Sequence, residues 1–264
     1  MTASAVQVDG RAGTVVAYDH AGGNAPAVVL VHGINMDASV WSGVVERLAP
    51  DRRVVTIDLR GHGAAAMTGP YDADGYADDV IAAMDALGID RAHLVGTSFG
   101  GAVVCTVAAR LPERVASVTA IGSAVSVAGA IDVEAGIAAL RAAGAREFFG
   151  GFMPQASFAP GTDPALIERA VEIAASRDVD VIADIVRAAF TADASVAVAG
   201  VRAPALVVTG EHDMTCPVPA GEQLASALGV ELTVLPGRGH MAMMEDPDSV
   251  VAVLRPHLAA GDAR

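Results

Sequence analysis

Short, unbroken apolar segments alternate with longer amphipathic segments along much of this chain. The segment AVVLV at residues 27–31 shows no polar alternation, which is typical of a strand in a parallel sheet covered on both faces. Strands of this kind are predicted at residues 13–19, 27–31, 54–58, 92–96, 115–121, 205–209 and 231–235. Helices are predicted at residues 40–48, 76–87, 102–111, 220–228 and 248–258. The alternation predicts an α/β fold with a doubly wound, mostly parallel sheet.

The alternation stops between residues 123 and 201. This segment is rich in alanine, has a helical pattern with breaks near Gly150, Pro154 and Pro160, and contains no clear strand. Because the strand pattern returns at residue 205, the helical segment interrupts the sheet and does not follow it. We therefore predict that residues 1–122 and 202–264 form one core domain, and that residues 123–201 form an inserted helical cap, or lid.

The acidic balance of the chain limits its partners. The formal net charge of −14 repels phosphate backbones and anionic lipid, so nucleic acid and acidic membranes are disfavoured. All 17 basic residues are arginine, which excludes a lysine Schiff base and a P-loop lysine. The two cysteines, Cys105 and Cys216, are too few for a disulfide framework or a zinc cluster. We expect an enzyme that acts on a small molecule without a metal or cofactor.

The ends of the chain and its longest apolar runs bear on location. The N-terminal residues lack the basic and apolar regions of a secretory signal, and no apolar run approaches the roughly 18 residues that span a membrane. We therefore expect a cytoplasmic protein of bacterial type with no membrane partner. The sequence leaves the oligomeric state open.

Three polar residues follow predicted strands at the points where those strands end. Ser98 lies in the turn GTSFG after the strand at 92–96, Asp213 follows the strand at 205–209, and His240 follows the strand at 231–235. Ligands of such sheets bind beyond the carboxyl ends of the strands, so we expect the three side chains at one edge of the sheet. The glycines on either side of Ser98 lack the Cβ atoms that would collide in a sharp bend.

Five segments together resemble the α/β-hydrolase superfamily. They are VLVHGINMDASVW at 29–41, DLRGHG at 58–63, GTSFGG at 96–101, GEHDMTCP at 210–217 and GRGHMAMMEDP at 237–247. They occur in the family's order and cover nearly the whole chain. The sequence is most similar to compact bacterial esterases, cofactor-free perhydrolases and enol-lactone hydrolases, which carry a helical cap between core strands. The resemblance implies an α/β-hydrolase fold.

The resemblance also implies the roles of the site residues. Ser98 is the nucleophile, His240 takes its proton, and Asp213 holds the imidazole and stabilises its charged form. The backbone N–H groups of Ile34 and Phe99 form the oxyanion hole, where the N-terminus of the following helix adds a partial positive charge.

Each assignment has competitors in the sequence. Ser98 could serve only as a helix N-cap. Glu211 competes with Asp213 as the acid, and the family spacing favours Asp213. His32 and His62 lie in motifs near the same edge, but in relatives these histidines shape loops, so we interpret both as structural.

Aromatic and methionine side chains gather in the cap and in the loops that carry the acid and the base. Such residues suit an apolar acyl or ring-containing substrate, although part of them must form the cap's own core. The predicted pocket residues are Met36, Trp41, Phe152, Met153, Met214 and Met241. A cap arginine could bind one carboxylate, but nothing in the sequence distinguishes Arg141, Arg146, Arg169, Arg177 and Arg187.

The identity of the nucleophile limits which reactions of this family are possible. Epoxide hydrolases and haloalkane dehalogenases of this fold attack with aspartate, so Ser98 argues against both. The leading hypothesis is hydrolysis of a carboxylic ester or lactone of a small, largely apolar substrate through an acyl-Ser98 intermediate. The alternatives are carbon–carbon bond hydrolysis, another acyl transfer such as perhydrolysis, and, from a different class, a small-molecule receptor or signalling protein on the same fold.

Overall fold

The computed structural model describes residues 3–20, 22–23 and 25–263, and these contain an eight-stranded sheet in the order β1-β2-β4-β3-β5-β6-β7-β8. The strands are β1 (Ser4–Gly10), β2 (Gly13–His20), β3 (Ala27–Val31), β4 (Val54–Asp58), β5 (Ala92–Thr97), β6 (Val115–Ile121), β7 (Ala205–Gly210) and β8 (Leu232–Leu235). β2 pairs antiparallel with β1 and β4, and all other neighbours are parallel. The predicted doubly wound, mostly parallel sheet is confirmed.

Helices connect the strands on both sides of the sheet. They are α1 (Ser42–Leu48), α2 (Ala73–Ala86), α3 (Phe99–Arg110), α4 (Val133–Ala143), α5 (Ala145–Ala156), α6 (Pro164–Ala174), α7 (Val179–Thr191), α8 (Ser195–Gly200), α9 (Val218–Leu228), α10 (Ala242–Glu245) and α11 (Pro247–Asp262). Among the described residues, no helix combines the length and the apolar character that crossing a membrane requires.

The apolar run of β3 is explained by cores on both faces of the sheet. Val29 and Val31 belong to one hydrophobic cluster, which includes residues of α2 and α3. Val28 and Leu30 belong to a second cluster, which includes residues of α1 and α11. Every residue of β3 is buried, so a strand in this position has no polar face.

The helices α4 to α8 lie between β6 and β7, where the sequence predicts the cap. α4 packs against α5 and α7, and α5 packs against α6. The side chains of Leu140, Phe149 and Ile182 join the second hydrophobic cluster of the core. α8 packs against α3 and α9, so the last helix of the predicted cap lies on the core sheet's own helices.

Candidate active site

Ser98 occupies a strained turn between β5 and α3. Its backbone has a φ of 54° and a ψ of −127°, a left-handed conformation that is uncommon for a residue other than glycine. A Cβ on Gly96 would lie 2.1 Å from the carbonyl oxygen of Gly100, and a Cβ on Gly100 would lie 2.6 Å from that of His32. Only glycine therefore fits on either side of the turn. The Ser98 hydroxyl makes no capping bond to α3, so a role as an N-cap alone is not supported.

Asp213 and His240 form a buried hydrogen-bonded pair beyond the ends of β7 and β8. Asp213 Oδ2 lies 2.8 Å from His240 Nδ1, and the two residues are only 2% and 6% exposed. The other carboxylate oxygen of Asp213 accepts hydrogen bonds from the N–H groups of Thr215 and Cys216, at 2.9 and 2.7 Å. These bonds fix the carboxylate, which in turn fixes the imidazole. Because Nδ1 is engaged, Nε2 is the nitrogen left for proton exchange.

Glu211, the competing acid, lies elsewhere. Its side chain is on the exposed surface and accepts a hydrogen bond from the Gly237 N–H at 2.8 Å. The structure therefore brings Asp213, and not Glu211, to His240.

The segment Gly33–Met36, which we name the oxyanion loop, runs directly past Ser98. A Cβ on Gly33 would lie 2.8 Å from the Cβ of Ser98. Among the described residues, the N–H groups of Ile34 and Phe99 donate no hydrogen bond to another protein group, and both residues line the same cavity as Ser98. Two free donors beside the serine are what an oxyanion hole requires.

Two buried histidines, His32 and His62, form hydrogen bonds with this loop. His62 Nε2 accepts a hydrogen bond from the Asn35 N–H at 3.0 Å, and His32 Nε2 accepts one from the Leu59 N–H at 3.2 Å. Their Nδ1 atoms lie 2.9 and 2.7 Å from the carbonyl oxygens of Arg60 and Gly33. Each ring thus needs one donor and one acceptor nitrogen, which makes it neutral. Burial lowers the pKa of His32 and places that of His62 well below its ordinary value, in keeping with structural roles.

We keep the name cap for the helices α4 to α8. A cavity of about 210 Å³ lies beside Ser98 and is bounded by residues of α4, α5 and α7. Ser98 and His240 both line it, as do the predicted pocket residues Met36, Phe152, Met153 and Met241. Further apolar residues line it as well: Ile131, Val133, Ile137, Leu140, Phe148, Phe149, Val186 and Phe190. Apart from His240 and the Cys216 thiol, whose pKa is raised by burial, no titratable side chain of the described residues lines the cavity. It suits a neutral, apolar group.

Two predicted pocket residues do not line this cavity, which corrects the sequence expectation. Trp41 is fully buried in the core cluster that includes residues of α1 and α11. Met214 is 69% exposed, and its backbone N–H donates to the Ala156 carbonyl at 3.1 Å.

The cap arginines also lie outside the cavity. Arg141, Arg146 and Arg187 form exposed ion pairs with acidic residues of the cap, and such pairs contribute little to stability. Arg169 donates to the Ser39 carbonyl at 3.2 Å, and Arg177 is buried against the oxyanion loop. No described arginine is therefore placed to bind a substrate carboxylate in the cavity.

Comparison with known proteins supports the fold. A family model described as "Alpha/beta hydrolase family" matches residues 28–253. The chain is 34% identical over 254 residues to the dihydrolipoyllysine-residue acetyltransferase component of the acetoin cleaving system of Pseudomonas putida. That match covers 91% of this chain and 66% of the relative, so the chain spans about two thirds of that protein.

Two further matches extend over most of both proteins. The chain is 26% identical over 238 residues to 3-oxoadipate enol-lactonase 1 of Acinetobacter baylyi, with 87% of each protein covered. The crystal structure of the enol-lactonase from Burkholderia xenovorans LB400 matches with a TM-score of 0.88 and 26% identity, over 96% of this chain and 100% of that one.

Proposed function

Because the chain belongs to the α/β hydrolase family, we propose that it hydrolyses a carboxylic ester or lactone of a small, neutral, largely apolar substrate. One observation carries the proposal. The buried Asp213–His240 pair and the strained Ser98 turn meet at one apolar cavity, beside two free backbone N–H groups. This is the set of groups that acyl transfer through a serine requires.

The proposed reaction follows from these positions. Ser98 Oγ attacks the substrate carbonyl carbon while His240 Nε2 accepts the hydroxyl proton. The carbonyl oxygen becomes an oxyanion, and the N–H groups of Ile34 and Phe99 donate to it. The tetrahedral intermediate expels the alcohol, which takes the proton from His240 and leaves an acyl-Ser98 ester. Water then attacks the acyl group by the same steps in reverse, which releases the carboxylic acid and restores Ser98. Asp213 stabilises the imidazolium in both halves.

The residues that line the cavity indicate which substrate charge the site can accept. A carboxylate bound there would lose its hydration and meet no cationic side chain, which costs several kcal/mol for an ion. The net charge of −14 adds a repulsive field. We therefore infer that the acyl group is neutral.

A pair of matched esters tests this inference about substrate charge. We expect kcat/KM for p-nitrophenyl butyrate to exceed that for p-nitrophenyl hemisuccinate, an anion of similar length, by at least about 100-fold. Ser98→Ala gives the background hydrolysis of both esters. Equal kcat/KM values for the two esters would contradict a neutral acyl site, and no turnover of any ester above the Ser98→Ala background would contradict the hydrolase proposal itself.

Gly122 lies against Asp213 and His240, and a substitution there gives a second test of the site. It has a φ of +53°, and a Cβ there would lie 2.9 Å from Asp213 Oδ2 and 3.0 Å from His240 Nδ1. We expect Gly122→Ala to lower kcat by about 100-fold, because small displacements of catalytic groups have effects of this size. The matched control is Gly229→Ala, where φ is +70° but a Cβ meets nothing within 4 Å. Gly229→Ala shares the backbone strain, so we expect it to have the kcat of wild type. Equal kcat values for Gly122→Ala and Gly229→Ala would contradict the proposed role of the Asp213–His240 pair.

A further inference from the structure

Arg177 differs from the other arginines of the cap. It lies between α6 and α7, is only 8% exposed, and forms no ion pair with a carboxylate of the described residues. Its Nη1 donates to the Ile173 carbonyl at 3.0 Å and lies 3.2 Å from Ser176 Oγ. Its Nη2 donates to the Met36 carbonyl at 3.1 Å, and its Nε is buried without a partner. The guanidinium therefore connects a cap carbonyl to a carbonyl of the oxyanion loop.

The position of this charge is energetically unusual. A guanidinium buried away from carboxylates loses hydration, and burial lowers the pKa of Arg177 accordingly. The carboxylates of Asp37 and Asp58 partly offset this through longer-range attraction. Hydrogen bonds to two carbonyl groups are thus its direct compensation, and its planar, rigid fork suits it to fix two chain segments relative to each other.

The oxyanion loop needs such support. Asn35 has a φ of 57°, in the left-handed region that asparagine adopts more readily than most residues other than glycine. From the core, His62 accepts a bond from the Asn35 N–H and His32 Nδ1 lies 2.7 Å from the Gly33 carbonyl. From the cap, Arg177 donates to the Met36 carbonyl. The N–H group of Ile34 is one residue before Asn35 and two before Met36. Its peptide plane also contains the Gly33 carbonyl that His32 engages, so the loop's attachments on both sides together fix its direction.

We propose that Arg177 is a positioning residue, which holds the oxyanion loop from the cap and thereby keeps the Ile34 N–H directed at the oxyanion. The inference rests on the proposed function, since it assigns a task within that reaction. In this proposal the contact of Arg177 with the Met36 carbonyl affects stabilisation of the transition state and does not affect substrate binding, because Arg177 does not line the cavity.

The test compares three variants of the full chain. Arg177→Met keeps the apolar stem but donates no hydrogen bond, and Arg177→Lys keeps the charge but cannot bridge two carbonyls in the same geometry. Arg169→Gln is the control, because Arg169 also lies in the cap and donates to a core carbonyl, that of Ser39. It is exposed and donates no hydrogen bond to a described residue of the oxyanion loop. Each variant is assayed with p-nitrophenyl butyrate, and its folding is checked by circular dichroism and thermal unfolding.

We expect Arg177→Met to lower kcat by about 10²- to 10³-fold, the size seen when one oxyanion donor is lost, with KM changed by less than about threefold. Arg177→Lys should regain about tenfold of that loss and remain below wild type, and Arg169→Gln should stay within about twofold. Inhibition by butylboronic acid, whose tetrahedral adduct on serine occupies the oxyanion hole, should weaken in proportion to kcat. A merely structural role would not produce this parallel.

The outcomes separate the two proposals. A raised KM with unchanged kcat would overturn the positioning role, as would wild-type kcat in Arg177→Lys, which carries the test if Arg177→Met does not fold. Labelling of wild-type Ser98 by a fluorophosphonate is measured alongside. Failure of that labelling would contradict the proposed function, whereas labelling with unaltered kcat in the Arg177 variants would overturn only the inference about Arg177.

Discussion

We expect Ser98→Ala to lower kcat toward p-nitrophenyl esters by about 10⁴- to 10⁶-fold, the loss typical of removing the nucleophile of a serine hydrolase. The variant retains the strained turn, whose glycines set the backbone path, so its unfolding transition should stay close to that of wild type. The measurement is steady-state hydrolysis together with urea unfolding. Without Oγ no acyl intermediate can form, and only the oxyanion donors and binding remain.

The control for this prediction is another serine of the same cavity. Ser157 also lines the cavity, but its hydroxyl faces Thr215 at 3.4 Å. Ser157→Ala should change kcat by less than about threefold. Activity within tenfold of wild type in Ser98→Ala would mean that the nucleophile is another group.

Asp213→Asn should lower kcat by about 10⁴-fold while the protein remains folded. The Asn amide can present an N–H group to His240 Nδ1, which then has to accept, so the proton moves to Nε2 and the imidazole can no longer act as a base. The backbone donors of Thr215 and Cys216 still find the amide oxygen. Steady-state kinetics and the midpoint of urea unfolding measure the two parts of this expectation.

Glu211→Gln is the matched change at the competing acid. Its carboxylate is exposed and contacts the Gly237 N–H, so the substitution should alter kcat by less than about threefold. A larger loss in Glu211→Gln than in Asp213→Asn would show that the acid is misassigned.

The sequence reveals the Ser98 turn because its cause is local. Gly96, Ser98 and Gly100 are close in the chain, and the steric need for glycine at both flanks follows from the bend alone. The partnership of Asp213 with His240 is predictable in kind, since parallel strands bring their carboxyl ends to one edge. The choice of Asp213 over Glu211, only two residues away, depends on family spacing, and the structure places Asp213 Oδ2 2.8 Å from His240 Nδ1.

Element boundaries show where local patterns were insufficient. β1 has mostly exposed side chains, with only Val8 fully buried, so it lacked the apolar signal of the central strands. α2 begins at Ala73, three residues before the predicted start, because the Asp72 side chain caps it by accepting from the Gly75 N–H. The apolar periodicity that suggested Tyr76 does not report such a cap.

Contacts between the cap and the core could not be read from the sequence. Trp41 and Met214 lie near site residues in the chain, yet Trp41 packs in the core and Met214 extends into solvent. Arg177 is indistinguishable by sequence from four other cap arginines, because its burial arises only when the cap folds onto the oxyanion loop, 141 residues away. Long-range packing, and not local propensity, decides these positions.

The central claim is that Ser98 is an activated nucleophile. The most direct measurement is the intact mass of the protein after incubation with a fluorophosphonate, for wild type and for Ser98→Ala. The account predicts one adduct on wild type and none on Ser98→Ala, because the reagent needs a serine whose proton a base accepts. No adduct on wild type, or an equal adduct on both proteins, would contradict it.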